Sequence, residues 1–338
     1  MAGQVPQLAR FAPYAPIGDV GVGVFFVLSG FILFYNYGDV FEGGVEGGSY
    51  RQFIRRRFAK LYPNQIFTLA IIAVLAWGYG DVLAETFHAR AANLPFQLTL
   101  THGWYWERGV AFDWNQPAWS ISAEWAMYLI FPLLMFWLVR RRSVGALIAA
   151  ALVPFVAEML LSLPGVRVSS GIISIMGFFP AGVVLAILLG RRRVRFPRPD
   201  LIVIVVSVAL FLALGHVHNY WRLPLILLAG LLIAPVIQCR GIVKSVLASR
   251  ACVFLGHASY ATYMVHDIVL RVARPALAKF SVAGASPVLG SLCVLTIYGA
   301  VIAFGALTYK AVERPFERIL RGRPKPSRAR RLAVDVGR

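Results

Sequence analysis

The chain has 338 residues, of which 59% are hydrophobic and 14% charged, with 34 Lys and Arg against 15 Asp and Glu. A soluble domain carries about a quarter charged residues as a polar shell; this composition excludes such a shell, and the solvent it requires is lipid. The basic excess therefore reads as the positive-inside bias of cytoplasmic loops rather than as a nucleic-acid surface, because the cations sit in short clusters between apolar runs.

A bilayer-spanning helix takes about twenty mostly apolar residues. By that measure nine spans are predicted, at 20–37, 63–79, 119–139, 144–162, 171–189, 200–215, 221–238, 257–273 and 287–308. The opening residues lack the apolar core of a cleavable signal. Segment 80–118, rich in Trp, Asn and His, is too polar to span and is expected as an extramembrane loop with interfacial or re-entrant character. No internal repeat is evident.

Orientation follows from the cations. Connections 38–62, 140–142, 190–200 and 239–256, with the tail 309–338, hold 26 of the 34 Lys and Arg. That bias places them in the cytoplasm. The expectation is an all-α polytopic transmembrane helical bundle in the bacterial inner membrane, with a cytoplasmic C-terminus. Residues 1–19 form an extramembrane N-terminal segment, 20–316 the transmembrane domain and 317–338 a basic cytoplasmic tail. Nine spans with the tail inside put Met1 outside, and one further span upstream would return it to the cytoplasm.

Three cysteines, Cys239, Cys252 and Cys293, show no paired spacing. His216 and His218 flank Val217, and two histidines alone make a poor metal site. No metal and no permanently bound cofactor are expected.

Several polar residues stand out against this apolar background. Arg57 and Lys60, three apart just before the second span, share a helix face; they serve either as anchors of the membrane surface or as a grip for phosphates. Glu124 lies about one turn inside the third span, where a carboxylate is costly and a functional candidate. The competing reading is a structural acid tied to a neighbouring Arg or to backbone. Ser120 and Ser122 precede it. His266 falls ~13 Å of rise into the eighth span, next to Asp267, as either a proton carrier or a hydrogen-bonded structural residue. His102 precedes Trp104 and Trp106 in the long loop, where aromatic platforms suit carbohydrate and interfacial belts use Trp equally well. Glu313 and Arg314 read as a lock on the last helix end, and Tyr260 and Tyr263 as packing residues with a polar handle.

Four segments together resemble the acyltransferase-3 family of membrane O-acyltransferases. Gly21-Val22-Gly23-Val24-Phe25-Phe26-Val27-Leu28-Ser29-Gly30-Phe31 is similar to the family's G-V-D-x-F-F-V-L-S-G-F. Phe53-Ile54-Arg55-Arg56-Arg57-Phe58-Ala59-Lys60-Leu61-Tyr62-Pro63 is similar to F-x-x-R-R-x-x-R-I-x-P. Pro117-Ala118-Trp119-Ser120-Ile121-Ser122-Ala123-Glu124, with Tyr128 and Pro132, resembles P-x-W-S-L-S-x-E-x-x-x-Y-x-x-x-P. The stretch Leu255 to His266 and the closing Val312-Glu313-Arg314-Pro315-Phe316 complete the series.

The resemblance implies ten spans and transfer of an acyl group, acetyl above all, from acyl-coenzyme A to a hydroxyl of a saccharide or glycolipid. Its implied partners are acyl-coenzyme A, that acceptor and membrane lipid, with no nucleic acid. Together with the readings above, the resemblance leaves Glu124, Ser122 and His266 as candidate catalytic residues, and Arg57, Lys60, Tyr62, Trp119, Ser120, Tyr260 and His102 as candidates on the substrate side. The family's base histidine belongs to a helix ahead of Gly21, and no histidine precedes His88 here. That gap and the topology both predict a chain starting short of the family's first helix. Lys60 replaces the usual Arg, and Gly23 the usual Asp. A macrolide-type acceptor is a variant of the same chemistry. Two other readings stand beside it: a transporter or flippase of acylated or glycosylated lipids, for which Glu124, His266 and Asp267 suit a proton path, and a catalytically dead paralogue.

Overall fold

Inside a bilayer every backbone N–H and C=O has to pair within the chain, and an apolar run achieves this as a helix. The computed structural model describes residues 17–78, 89–104, 110, 112–141, 143–161, 175–191, 194–214, 222–279 and 287–321. Among them there are helices, turns and connections but no strand. In chain order the helices are α1 Ile17–Phe41, α2 Gly47–Gly78, α3 Leu94–Leu98, α4 Ala118–Val139, α5 Val144–Leu161, α6 Phe178–Arg191 and α7 Pro199–Leu214. There follow α8 Arg222–Leu231, α9 Ile233–Val236, α10 Ile242–Leu247, α11 Arg250–Lys279, α12 Pro287–Thr308 and α13 Arg314–Arg321, the last two joined by a π-helical turn at Tyr309–Glu313.

Helix is found within each of the nine predicted spans, the seventh being divided between α8 and α9 and the fifth described only from residue 175. Among the described residues four stretches have the length and hydropathy to cross a membrane, Val20–Phe41, Gly47–Gly78, Ala118–Val139 and Val288–Leu320, and α11, which carries the eighth predicted span, is not one of them. The helices at Val144–Ala157, Phe178–Gly190, Pro199–Leu214 and Leu223–Val236 are shorter apolar ones. The second helix begins at Gly47 rather than near the predicted residue 63. Arg and Lys are good helix formers, so the charged stretch 51–60 continues the helix, and Pro63 is tolerated inside it at the loss of one bond to the Ala59 carbonyl. The eighth predicted span likewise extends to Arg250–Lys279. Residues 1–16 and 322–338, with His88, Trp106, His216 and His218, lie outside the described residues.

The chain divides into two compact units. The first takes in Phe58–Ser122 and Ala248–Leu320, the second Pro16–Arg57 and Ala123–Leu247.

In the first unit the polar segment after α2 folds onto its own helices. Its Trp114 is 1% exposed and packs with Leu69, Ile72 and Ile268. The residue takes φ 60°, an uncommon backbone for a bulky side chain, and hydrogen bonds hold it there. Its indole Nε1 donates to the Arg90 carbonyl at 3.0 Å, and its own carbonyl accepts from Arg271 at 3.2 Å. The neighbouring Asp113 accepts from Asn93 at 2.8 Å and from the Arg90 amide at 3.2 Å. Asn115 donates to the Met264 carbonyl of α11 at 3.0 Å. Burial of these side chains is tolerated because each makes at least one hydrogen bond, although Asn115 Oδ1 is buried with no partner among the described residues.

In the second unit α1 crosses α6 at glycines. A methyl built at Gly30 would strike the Phe179 carbonyl, and one at Gly182 the Val27 carbonyl. Small residues at such crossings let backbones touch where lipid supplies no hydrophobic drive. Gly23 faces Ile226 of α8, whose side-chain methyl occupies the space a Cβ at 23 would take.

Candidate active site

In the second unit the chemistry gathers around Glu124. The hydroxyls of Ser29 on α1 and Tyr128 on α4 both donate to Glu124 Oε1, each at 2.6 Å. Tyr128 is there because residues four apart on a helix are neighbours. Ser29 arrives from 95 residues away, set by the glycine crossing next to it. A buried aromatic cluster stands behind this pair: Tyr37, Phe41, Phe53, Tyr128 and Phe131, with ring centroids 4.9 to 6.4 Å apart.

Arg57 enters the same cluster. Its guanidinium lies 5.4 Å from the Tyr37 ring centroid, 5.6 Å from Tyr128 and 5.8 Å from Phe53, and its Nη2 donates to the Tyr37 hydroxyl at 3.3 Å. Nε is buried without a hydrogen-bond partner, and the side chain meets no carboxylate among the described residues. Cation–π attraction offsets part of that desolvation, and the charge is left uncompensated.

In the first unit Lys60 has other partners. It forms an ion pair with the fully buried Glu313 on the π-helical turn, lies 3.5 Å from Glu317, and sits 5.6 Å above the Tyr260 ring. Asn64 donates to the second oxygen of Glu313 at 2.7 Å. The two cations read from the sequence as one face are thus engaged by different groups, and Lys60 is charge-compensated by Glu313.

Ser122 donates to the Leu100 carbonyl at 2.7 Å and accepts from the Gly103 amide at 2.9 Å. A side chain at 103 would lie 2.6 Å from the Trp119 carbonyl, so only glycine lets the loop approach α4 this closely. Trp104 donates its indole N–H to the Ser122 carbonyl at 2.9 Å. Ser122 is therefore the tie between loop and helix, with its proton spent on backbone. Ser120 meets the Tyr263 hydroxyl at 2.8 Å, and both lie on the Pro117 carbonyl, at 3.0 and 3.1 Å. Trp119 sets its ring edge-on to Phe112, 6.4 Å apart. Tyr62 and Tyr260 spend their hydroxyl protons on the Leu98 and Leu61 carbonyls, at 2.6 and 2.8 Å.

His102 is fully buried, its Nδ1 3.4 Å from the Phe96 carbonyl. A carbonyl only accepts, so Nδ1 carries the proton of the neutral ring. Burial pushes this imidazole down to about 4. His266 also turns Nδ1 to a backbone carbonyl, that of Tyr263. Its Nε2 is thereby the lone-pair nitrogen, with no hydrogen-bond partner among the described residues. Asp267 pairs with Arg271 one turn on, at 2.7 Å, and this structural pair does not share the face of His266. Among the described residues no group of three or more His, Cys, Asp or Glu is placed to hold a metal.

Ser29, Tyr37, Tyr128 and Asn64 are the polar partners that sequence reading left without a role. Tyr128 had a usable signal, its i+4 spacing from Glu124; Ser29 had only its place in an apolar run.

A helical membrane chain that holds a carboxylate by two hydroxyls inside an apolar helix carries a candidate functional site. The family is settled by comparison: the acyltransferase domain model of the acyltransferase 3 family matches residues 3–305, and the chain belongs to that family. It is accordingly a multi-pass membrane O-acyltransferase. Similar proteins include the acyltransferase MdmB of Streptomyces mycarofaciens, 30% identical over 352 aligned residues that take in 92% of this chain and 83% of the relative. An uncharacterized protein of Haemophilus influenzae is 31% identical over 139 residues, 39% of this chain and 56% of that one. No solved structure matches.

Proposed function

We propose that this acyltransferase takes its acyl group, acetyl above all, from acyl-coenzyme A and delivers it to a hydroxyl of a saccharide or glycoconjugate at the bacterial inner membrane. In this reading nine helices span the bilayer with the C-terminus in the cytoplasm, where coenzyme A thioesters are held. The acceptor oxygen attacks the thioester carbonyl, the C–O bond forms, and the C–S bond breaks to release coenzyme A as the thiol. The acceptor proton needs a base, and Glu124 is the group proposed to take it. What supports this most is one observation: a carboxylate inside a membrane helix whose one oxygen is satisfied by two hydroxyls at 2.6 Å. Arg57, caged by aromatic rings and without a counter-anion among the described residues, suits an anionic donor such as the phosphates of coenzyme A.

A second base is supported by its own geometry. His266 has Nδ1 fixed on a carbonyl and Nε2 available as a proton acceptor. Purified chain in detergent, given acetyl-coenzyme A and methyl glucoside, separates these readings through thiol release and acetylated sugar. Glu124→Gln is expected to slow transfer about 100-fold or more, and His266→Asn much less. Full transfer by Glu124→Gln with loss in His266→Asn would reassign the base. A wild-type chain that neither binds nor consumes acetyl-coenzyme A would remove the donor.

A further inference from the structure

We infer that Ser29 and Tyr128 are positioning residues that clamp Oε1 of Glu124 and so aim Oε2 at the acceptor hydroxyl. The inference rests on the reading of Glu124 as proton acceptor and adds how that carboxylate is oriented.

A glutamate side chain has three rotatable bonds, and an ionised carboxylate accepts hydrogen bonds at both oxygens. Here both donors reach the same oxygen, at 2.6 Å each, and from two different helices. Oε2 has no hydrogen-bond partner among the described residues. The carboxylate is thus held at one end with the other end presented. A pair of donors serving only to solvate a buried acid would gain more by satisfying both oxygens.

Ser29 has a cheaper local alternative. A mid-helix serine ordinarily bonds back to the carbonyl a turn earlier, whereas Ser29 donates across to α4. Its place is fixed by backbone contact at Gly30 with α6 and at Gly182 with Val27 of α1. Tyr128 is held from behind, its ring facing the Arg57 guanidinium at 5.6 Å and edge-on to Phe53 at 6.3 Å. Both donors are therefore themselves immobilised, as orientation of a reacting group requires.

In the reaction, Oε2 takes the acceptor proton as the C–O bond forms. When the C–S bond breaks the proton passes to the departing sulfur, and Glu124 returns as a carboxylate still bonded to both hydroxyls. Nothing beyond acyl-coenzyme A and the acceptor is consumed.

Two measurements on the full chain in detergent test the clamp. Infrared difference spectra against Glu124→Gln isolate the Glu124 carboxyl band; Ser29→Ala and Tyr128→Phe are each expected to shift it, and Ser29→Thr, which keeps the hydroxyl, to leave it in place. With acetyl-coenzyme A and methyl glucoside, Ser29→Ala is expected to lower kcat about tenfold or more, with KM for the donor within about twofold and activity restored in Ser29→Thr. In the Glu124→Gln background Ser29→Ala should add nothing, because residues acting as a unit are not additive. An unmoved band, or losses that add, overturns the clamp while Glu124 stands. Wild-type turnover by Glu124→Gln overturns the proton-acceptor reading itself, and the inference with it.

Discussion

His102 shows what burial does to one side chain. Its ring lies where hydration is lost and an imidazolium is disfavoured, so the folded form titrates near 4 against about 6.5 when unfolded. Between those values the unfolded chain binds the extra proton. Stability therefore rises with pH through that window, is complete above about 6.5, and falls as pH drops toward 4. The increment is about 3 kcal/mol. Denaturant unfolding in detergent should show it in the wild type, and His102→Gln should lack it; an unchanged slope in that variant would mean that His102 stays hydrated. His102 is packed inside the loop, with Nδ1 on the Phe96 carbonyl. At the same scale, Ser122 spends its proton on Leu100 while Ser29 spends its proton on Glu124, although both read alike in sequence as small polar residues in apolar helices.

At the scale of elements, the crossing of α1 and α6 decides where Ser29 stands. Gly30 and Gly182 put the backbones in contact, and a larger side chain has nothing soft to displace, since the obstacle is a carbonyl on each side. Gly30→Leu is expected to cost at least ~2 kcal/mol by overpacking and to remove the Ser29–Glu124 bond, lowering both the unfolding midpoint and transfer. Gly190→Ala, where a methyl meets nothing within 4 Å, is the matched control and should change neither. The segment after α2 makes a related point. Its polarity argues against a span, yet polarity alone does not reveal that Asp113, Asn93 and Gln97 are buried. Asp113 accepts from Arg90 and Asn93 within the segment, and the Gln97 carbonyl accepts from Gln65 of α2.

Across the whole molecule, the longest-range contact of consequence ties Lys60 to Glu313, 253 residues on. Glu313 is 0% exposed, and a buried charge that loses its partner is strongly destabilising. Lys60→Met is expected to cost about 3 kcal/mol, and adding Glu313→Gln to recover most of it. Additive losses in the double variant would show that the pair is not the unit of stability. The helical class, the long apolar helices and the cluster of cations at 51–60 were legible because each depends on a run of neighbours in the chain: lipid solvates about twenty residues at a time, and the backbone closes its hydrogen bonds within the run. Glu124, the intramembrane acid, was legible for the same reason, as an expensive residue in an apolar stretch. Tertiary structure alone decided which hydroxyls grip it, why Arg57 is caged and Lys60 paired, and that the Ile226 side chain packs on Gly23. Those outcomes depend on helices meeting across scores of residues, where small side chains set the distance of approach and a local pattern carries no record of the partner.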